Sequence, residues 1–430
     1  MVNLRAAIVG CGRIASTDHA AAHTADPRVH LVAVVHPDHD RARALARRSG
    51  VREVFTSLEE MLATTDVDLV TLCAPPHLNA PLATTALRAG CHVLCDQPAA
   101  TDSADLARLT ETATAHHRVL TFASPYRHLT EAQMSRALVD AGEIGEVHEI
   151  QLIGSHGGEA PGRGRHRGWG WEEVGGGFLD RPLAADAPPA PYGACDPLPD
   201  IGIHLLDLAM WITGFPEAVE TLWPTHELSP AHELRPNHEL WPTHELWPAH
   251  ELRPAHERDL GRGEGTGRVG DGHTALVRCH DGMALSLSTS YSAHPADEET
   301  VRVRLLGDRG ALEVFPLTLS HSNPPAPRHT RLPLPGKPGD LRLAHRRQIA
   351  AFVDACLGRG PVPVTAAEAI HVQDIVDRLQ RSAHGTTVPG QSDAREAGAV
   401  HGKADVRGHP GARTTTPTSD DDFAQEASRA

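Results

Sequence analysis

Three short stretches carry residue types able to do chemistry. The first, AIVGCGRIA, sets Gly10, Gly12 and Ala15 in a Gly-x-Gly-x-x-Ala pattern between an apolar run and a helical one. Gly10 permits a tight turn and Gly12 leaves room for a pyrophosphate to approach the backbone. Small Ala15 lets helix and strand pack closely, and the helix start offers N–H donors. Gly10, Cys11, Gly12, Arg13 and Ile14 are therefore expected to line a dinucleotide. The second stretch, HVLCDQPAA, puts Asp96 and Gln97 where an apolar strand stops at a proline, at the edge where such a sheet presents polar side chains to its ligand. The third, DIGIHLLD, spaces Asp200 and His204 four apart, so on a helix they share a face. On spacing alone, Asp200 also reads as an N-cap and His204 as a satisfied helical residue. Asp207, three residues beyond His204, either orients its ring or serves packing.

The elements that must position these residues follow from periodicity. From residue 3 to about 122, short apolar or β-branched runs (RAAIVG, HLVAVVH, REVF, VDLVTLC, CHVLC, RVLTFA) alternate with helical stretches such as DHDRARALARRSG and NAPLATTALRAG. That alternation is the βαβ signature of a parallel sheet, here a complete dinucleotide-binding one. Strand two of such a sheet usually ends on an acid that holds the ribose hydroxyls. Here His36 stands there, with Asp38 two residues later, and a histidine tolerates a 2′-phosphate; NAD and NADP both stay open.

After HLTEAQMSRALVDAG the pattern turns strand-rich. GHTALVRCHDGMALSLSTSYS reads as a hairpin turning at Asp281-Gly282, and VRVRLLGDRGALEVFP as another turning at Asp308-Arg309-Gly310. The expected architecture is α/β, with a dinucleotide-binding domain over 1–123 and an α+β domain over 124–385 built on a large open antiparallel sheet. A Pro-rich insert (181–199) and a hexapeptide repeat (223–258; WPTHEL, SPAHEL and four more) interrupt the second domain. The Gly-, Thr-, Ser- and Asp-rich tail, 386–430, is expected to be disordered. The repeat's histidines fail the His-Glu-x-x-His spacing, since proline stands four residues after each of the first five, so no metal site is expected there or elsewhere.

Composition narrows the class. A formal charge of -15 over 430 residues argues against a nucleic-acid surface, and no apolar run approaches the ~18 residues of a membrane span. Seven cysteines at irregular positions read as reduced core residues. The N-terminus enters a strand directly, so a cytoplasmic protein is expected. The only lysines are Lys337 and Lys403, so a catalytic amine has few sources.

Taken in order, AIVGCGRIA, TLCAPPHLNAPLATTALRAGCHVLCDQP, GEIGEV, GGGFLD with DIGIHLLDLAMWITG, and FVDACLGRG with RSAHGTTVP resemble the Gfo/Idh/MocA family over roughly residues 4–390, apart from the two insertions. The resemblance implies a Rossmann domain and an α/β domain whose open sheet commonly forms a homo-oligomer interface. It also implies hydride transfer between nicotinamide C4 and a carbon of a sugar, cyclitol or related polyol. On it, His204 is the acid/base, Asp200 assists, and Pro75, Asn79, His36 and Asp96 join the glycine loop at the cofactor.

Three departures stand out. Gln97 replaces the family lysine that donates to the reacting oxygen, Asp96 shortens its glutamate, and Asn79 replaces a frequent histidine. Losing a charged donor at a developing oxyanion costs roughly 10²- to 10³-fold in rate. A replacement cation has to be an arginine: Arg127, which reads at least as well as a surface or interdomain ion pair, or one of Arg163, Arg165 and Arg167. The insert also separates GGGFLD from Asp200, leaving Asp180 and Asp200 as alternatives at the site. An NAD(P)-dependent oxidoreductase is the leading expectation, and a cofactor-binding homologue without turnover is the alternative.

Overall fold

The computed structural model describes residues 3–156, 197–222, 272–290, 299–321 and 328–383. The first sheet has six strands in the order β3-β2-β1-β4-β5-β6, all parallel. They are β1 (Leu4–Val9), β2 (Val29–Val35), β3 (Glu53–Phe55), β4 (Leu69–Leu72), β5 (His92–Cys95) and β6 (Leu120–Phe122). β4 is buried throughout, as expected of a parallel strand covered on both faces. The crossovers are α1 (Ala20–Ala25), α2 (His39–Ser49), α3 (Leu58–Thr64), α4 (Pro76–Arg88) and α5 (Ser103–Ala115).

Local sequence sets the helix ends. Asp38, Ser57 and Asp102 cap α2, α3 and α5 through side-chain oxygens that accept backbone N–H bonds, each worth roughly 0.5–2 kcal/mol. Gly50 closes α2 at φ 71°, a left-handed conformation that disfavours a side chain.

The second sheet has eight strands in the order β14-β13-β12-β11-β7-β10-β9-β8. These are β7 (Val147–His156), β8 (Ala218–Leu222), β9 (Gly272–Cys279), β10 (Ala284–Ser290), β11 (Glu299–Gly307), β12 (Gly310–Glu313), β13 (Thr318–His321) and β14 (Arg328–Arg331). Both expected hairpins form, β9–β10 around Asp281-Gly282 and β11–β12 around Asp308-Arg309. The expected all-antiparallel sheet needs one correction: β7 and β10 run parallel, which makes the sheet mixed. After α7 the chain enters β8, and the two antiparallel reversals β8–β9 and β9–β10 bring β10 onto β7 in the same sense.

Alternating burial along β9 and β10 gives this sheet one packed and one open face. The packed face carries α7 (Ile203–Thr213), whose residues Ile203–Ile212 are all buried and which packs on α6 (Thr130–Asp140), together with α9 (Ala366–Ala383). Gly154 in β7 makes this approach possible, since a Cβ there would lie 2.5 Å from Ile201 Cγ2. Ile153, Val219 and Leu276 are exposed.

α8 (Leu341–Cys356), read from sequence as part of the second domain, sends Ile349, Phe352 and Val353 into the core beneath the first sheet, beside Ile8 and Leu94. The chain thus returns to brace the dinucleotide-binding domain. Residues 181–196, the repeat and the tail from residue 384 lie outside the described residues.

Candidate functional site

The glycine loop leaves β1 as its sequence requires. Gly10 has φ 95°, and a Cβ there would stand 2.1 Å from the Cys73 carbonyl oxygen, so only glycine fits. Nothing lies within 4 Å of a Cβ built on Gly12, which leaves its backbone open to a close-approaching group. The Gly10 N–H donates to Val35 O at 2.9 Å, tying the loop to β2. Cys11 is buried, and burial pushes its thiol up to about 12, so it remains a protonated core residue. The Arg13 Nε is buried without a hydrogen bond among the described residues, and Ile14 packs on the core beneath the first sheet.

At the end of β2, His36 is buried and its Nδ1 accepts the Asp38 N–H at 3.0 Å. Burial holds this imidazole below its ordinary pKa, so the ring is neutral there. The Asp38 carboxylate accepts N–H bonds from Asp40 (2.9 Å) and Arg41 (3.2 Å) as a helix cap, and it lies 3.5 Å from the Arg41 Nε.

β4 and β5 end side by side, with Asp96 N–H donating to Leu72 O at 2.8 Å. The Gln97–Pro98 bond is cis, and Gln97 is 9 % exposed. Asn79, expected at the cofactor, is instead buried in α4, and its amide is spent on backbone. Its Oδ1 accepts the Ala74 N–H at 3.3 Å, and its Nδ2 donates to Pro98 O at 3.0 Å and Asp96 O at 3.4 Å. Asn79 therefore clamps the Asp96–Pro98 turn from below. Pro75 is buried and its carbonyl accepts from Leu78 and Asn79 N–H, which opens α4.

The third stretch is helical from its start: a π turn, Leu198–Gly202, runs into α7. Asp200 is half-buried in that turn, and His204, 8 % exposed, lies on the first turn of α7. The His204 ring meets Tyr126 edge to face at 6.2 Å. Tyr126 follows β6, whose neighbour is β5: Ala123 N–H donates to Cys95 O at 2.8 Å, next to Asp96. Both halves of the expected site thus belong to one packed set of elements, linked through β6 and Tyr126.

Comparison with known proteins identifies the family and the fold. A model of an oxidoreductase family with an NAD-binding Rossmann fold matches residues 4–124, and the same family's C-terminal alpha/beta domain matches 190–389. The chain belongs to the Gfo/Idh/MocA oxidoreductase family. The D-glucoside 3-dehydrogenase of Escherichia coli K12 is 27% identical over 396 residues, covering 90% of this chain and 97% of that protein. Two solved structures share the fold. GenD2 from gentamicin A biosynthesis, in complex with NAD, has a TM-score of 0.64 at 22% identity, covering 89% of this chain and 95% of its own. KijD10, a 3-ketoreductase from Actinomadura kijaniata in complex with TDP-benzene and NADP, has a TM-score of 0.61 at 21% identity, covering 88% and 98%.

Against the Gfo/Idh/MocA pattern, the structure decides between the two readings of Arg127. It is buried and pairs with Asp207 on α7, with Nε 2.8 Å from Oδ2 and Nη2 2.5 Å from Oδ1, and with Glu368 on α9 at 3.2 Å. Burial opposes its charge, but the two carboxylates outweigh that and hold the guanidinium above its usual pKa. Ser124 adds a short hydrogen bond to Asp207, and Gln348 on α8 accepts the Ser124 N–H at 2.6 Å. Arg127 is therefore a buried brace within the second domain, joining the segment after β6 to α7 and α9 with its charge already paired, and not a stand-in for the lysine. Asp207 accepts from Ser124 and Arg127 in this brace. Asp180 and Arg163, Arg165 and Arg167 lie outside the described residues.

Sequence reasoning missed His19, which follows the glycine loop in a π turn, Ala15–His19, and is fully buried beside Asp96. The available signal was a histidine closing the polar run ASTDH directly after the glycine loop, just before the small apolar Ala20–Ala22.

Two other buried histidines make stability pH-dependent. Burial lowers His23 to about 3 and His128 to about 4, well below the ordinary 6.5. Their charged forms are disfavoured only in the folded state, so below pH 6.5 the unfolded chain binds more protons and stability falls with pH. At about 1.4 kcal/mol per unit, each withdraws about 2 kcal/mol between pH 6.5 and pH 5. Denaturant unfolding at pH 7.5 and pH 5 should show this loss, and the His23→Gln/His128→Gln double variant should show a flatter profile. Equal slopes in both proteins would refute the assignment.

Proposed function

We propose that this chain transfers hydride reversibly between an NAD or NADP nicotinamide and a carbinol or carbonyl carbon of a sugar, glycoside or cyclitol. The observation that carries the reading is the convergence of the open Gly12 loop, the Gln97 turn and the Tyr126–His204 contact at the carboxyl ends of the parallel strands. Ligands of open α/β sheets bind at those ends. The names of relatives, a D-glucoside 3-dehydrogenase and inositol 2-dehydrogenases among them, supply the substrate class.

The glycine loop and its helix start hold the pyrophosphate, and the β2 end with His36 and Asp38 borders the ribose. When bound, the nicotinamide supplies the hydride acceptor or donor. An alcohol loses hydride only as its proton leaves, so His204 takes that proton and returns it in the reverse direction. Asp200, one turn earlier, assists His204. Gln97 donates its amide N–H to the substrate oxygen, and Asn79 and Asp96 fix the turn that aims it. The exposed Ile153, Val219 and Leu276 on the open sheet face support homo-oligomer formation.

Fluorescence titration with NADH and NADPH, followed by a glycoside, polyol and keto-sugar panel read at the nicotinamide absorbance, tests the reading. Nucleotide binding with turnover of at least one member is expected; binding of neither nucleotide would overturn it. A neutral donor steadies a developing alkoxide less than an ammonium does, so Gln97→Lys should raise kcat by roughly tenfold or more. A fall in kcat would show that the glutamine is matched to its own substrate.

A further inference from the structure

Asp96, the short acid of the DQP turn, faces two residues that no part of the hydride reading uses. His19 comes from the π turn after the glycine loop, Cys73 from the end of β4, and Asp96 from the end of β5. One candidate ligand atom from each lies within 4.8 Å of the other two. His19 is 0 % exposed, and neither of its ring nitrogens has a hydrogen-bond partner among the described residues. A buried imidazole left unsatisfied on both sides is costly and needs an explanation. Its Nε2 lies 3.7 Å from Asp96 Oδ1. That is too long for a hydrogen bond. It is close to the roughly 3.3–3.8 Å that separates neighbouring ligand atoms around a tetrahedral ion with metal–nitrogen and metal–oxygen bonds of about 2.0–2.2 Å and a metal–sulfur bond of about 2.3 Å.

We propose that His19, Cys73 and Asp96 form a three-ligand site for a divalent transition metal, suited by its donor set to Zn²⁺. One nitrogen, one thiolate and one carboxylate are the donors zinc accepts, and three protein ligands leave a fourth position for water or a ligand atom. A thiolate and a carboxylate neutralise the ion, so a divalent cation can occupy this interior without net charge. Without metal, burial keeps the Cys73 thiol protonated, so metal uptake releases that proton to solvent as the metal–sulfur bond forms. The cluster approaches the surface at Asp96, whose side chain is 13 % exposed. The His345 ring, edge-on to His19 at 5.2 Å, backs the imidazole from α8. An ion here fixes Asp96, and with it the backbone of Gln97.

The proposal stands on these three side chains and does not depend on the hydride reading. The test must ignore metal caught by the His-rich repeat, which contains no cysteine. Full-length protein without an added histidine tag is stripped with a chelator and titrated with Co²⁺. A thiolate-to-cobalt charge-transfer band with intense tetrahedral ligand-field absorption is expected, saturating at one equivalent and displaced by Zn²⁺. Cys73→Ser should abolish the charge-transfer band and Cys95→Ser should keep it, with circular dichroism reporting the fold of each. Asp96→Asn and His19→Asn should weaken Co²⁺ binding tenfold or more. Absence of the band, its survival in Cys73→Ser, or weak octahedral absorption alone would overturn the site. NADH titration of the same samples reports the cofactor reading separately.

Discussion

His204→Asn is expected to lower kcat by roughly 10²- to 10⁴-fold while leaving the dissociation constant for NADH or NADPH within about twofold of wild type. The split follows from where each function resides. In the proposed reading nucleotide binding rests on the Gly10–Ile14 loop and the strand ends, whereas His204 lies on α7. Proton transfer to a positioned side chain contributes typically 10²–10⁴ to a rate, and the substituted amide has no titrating group to supply it. Because the ring packs on Tyr126 inside α7, a buried helix, the amide is a milder change than alanine and leaves the helix its hydrogen bonds. Parallel losses of nucleotide affinity and kcat would show that His204 acts through the fold. Undiminished kcat would remove it from the reaction and return the helical histidine to the packing role that its spacing alone allowed.

The largest stability effect should come from the buried brace that ties the segment after β6 to α7 and α9. Asp207→Ala is expected to destabilise the protein by about 3–5 kcal/mol, because it leaves the Arg127 guanidinium buried with only Glu368 opposite it. The loss arises from the uncompensated charge, not from the pair's own net worth. Replacing both partners, as in Arg127→Met/Asp207→Leu, should therefore recover most of the stability, and a cycle of single and double variants in denaturant unfolding measures the difference. A cost below about 1 kcal/mol for Asp207→Ala would mean that the brace is solvated and does not hold α7 in place. Partial loss of activity in the double variant despite restored stability is also expected, since Asp207 and His204 share one helix.

Much of the fold was legible because it is written in local patterns. The apolar runs from RAAIVG to RVLTFA each became a strand, and Asp281-Gly282 turned a hairpin, since these signals need only near neighbours. Gly10 was legible as the residue of a tight turn, and its positive φ belongs to that turn, whereas its closeness to Cys73 O joins segments distant in the chain. What escaped depends on contacts between distant segments. The parallel pairing of β7 with β10 joins strands more than a hundred residues apart, and no periodicity encodes it. α8 carries an ordinary amphipathic pattern that says it packs but not on which sheet. The site shows the same division. Gln97 and His204 stood out by residue type, whereas the amide of Asn79 turned out to be spent on the turn beneath Gln97, and Arg127 on two carboxylates. His19 and Cys73 meet Asp96 only because β1, β4 and β5 end together, a consequence of sheet order and not of spacing.

The central claim, hydride transfer and not nucleotide binding alone, is tested most directly by isotope transfer. Full-length protein is incubated with NADH and NADPH carrying deuterium at the transferable C4 position and with a panel of keto-sugars and keto-cyclitols, and the products are analysed by mass spectrometry. The account predicts deuterium on the new carbinol carbon of at least one product, abolished or strongly reduced in His204→Asn. Tight nucleotide binding with no deuterium transferred to any member of the panel would contradict it and leave a cofactor-binding protein without turnover.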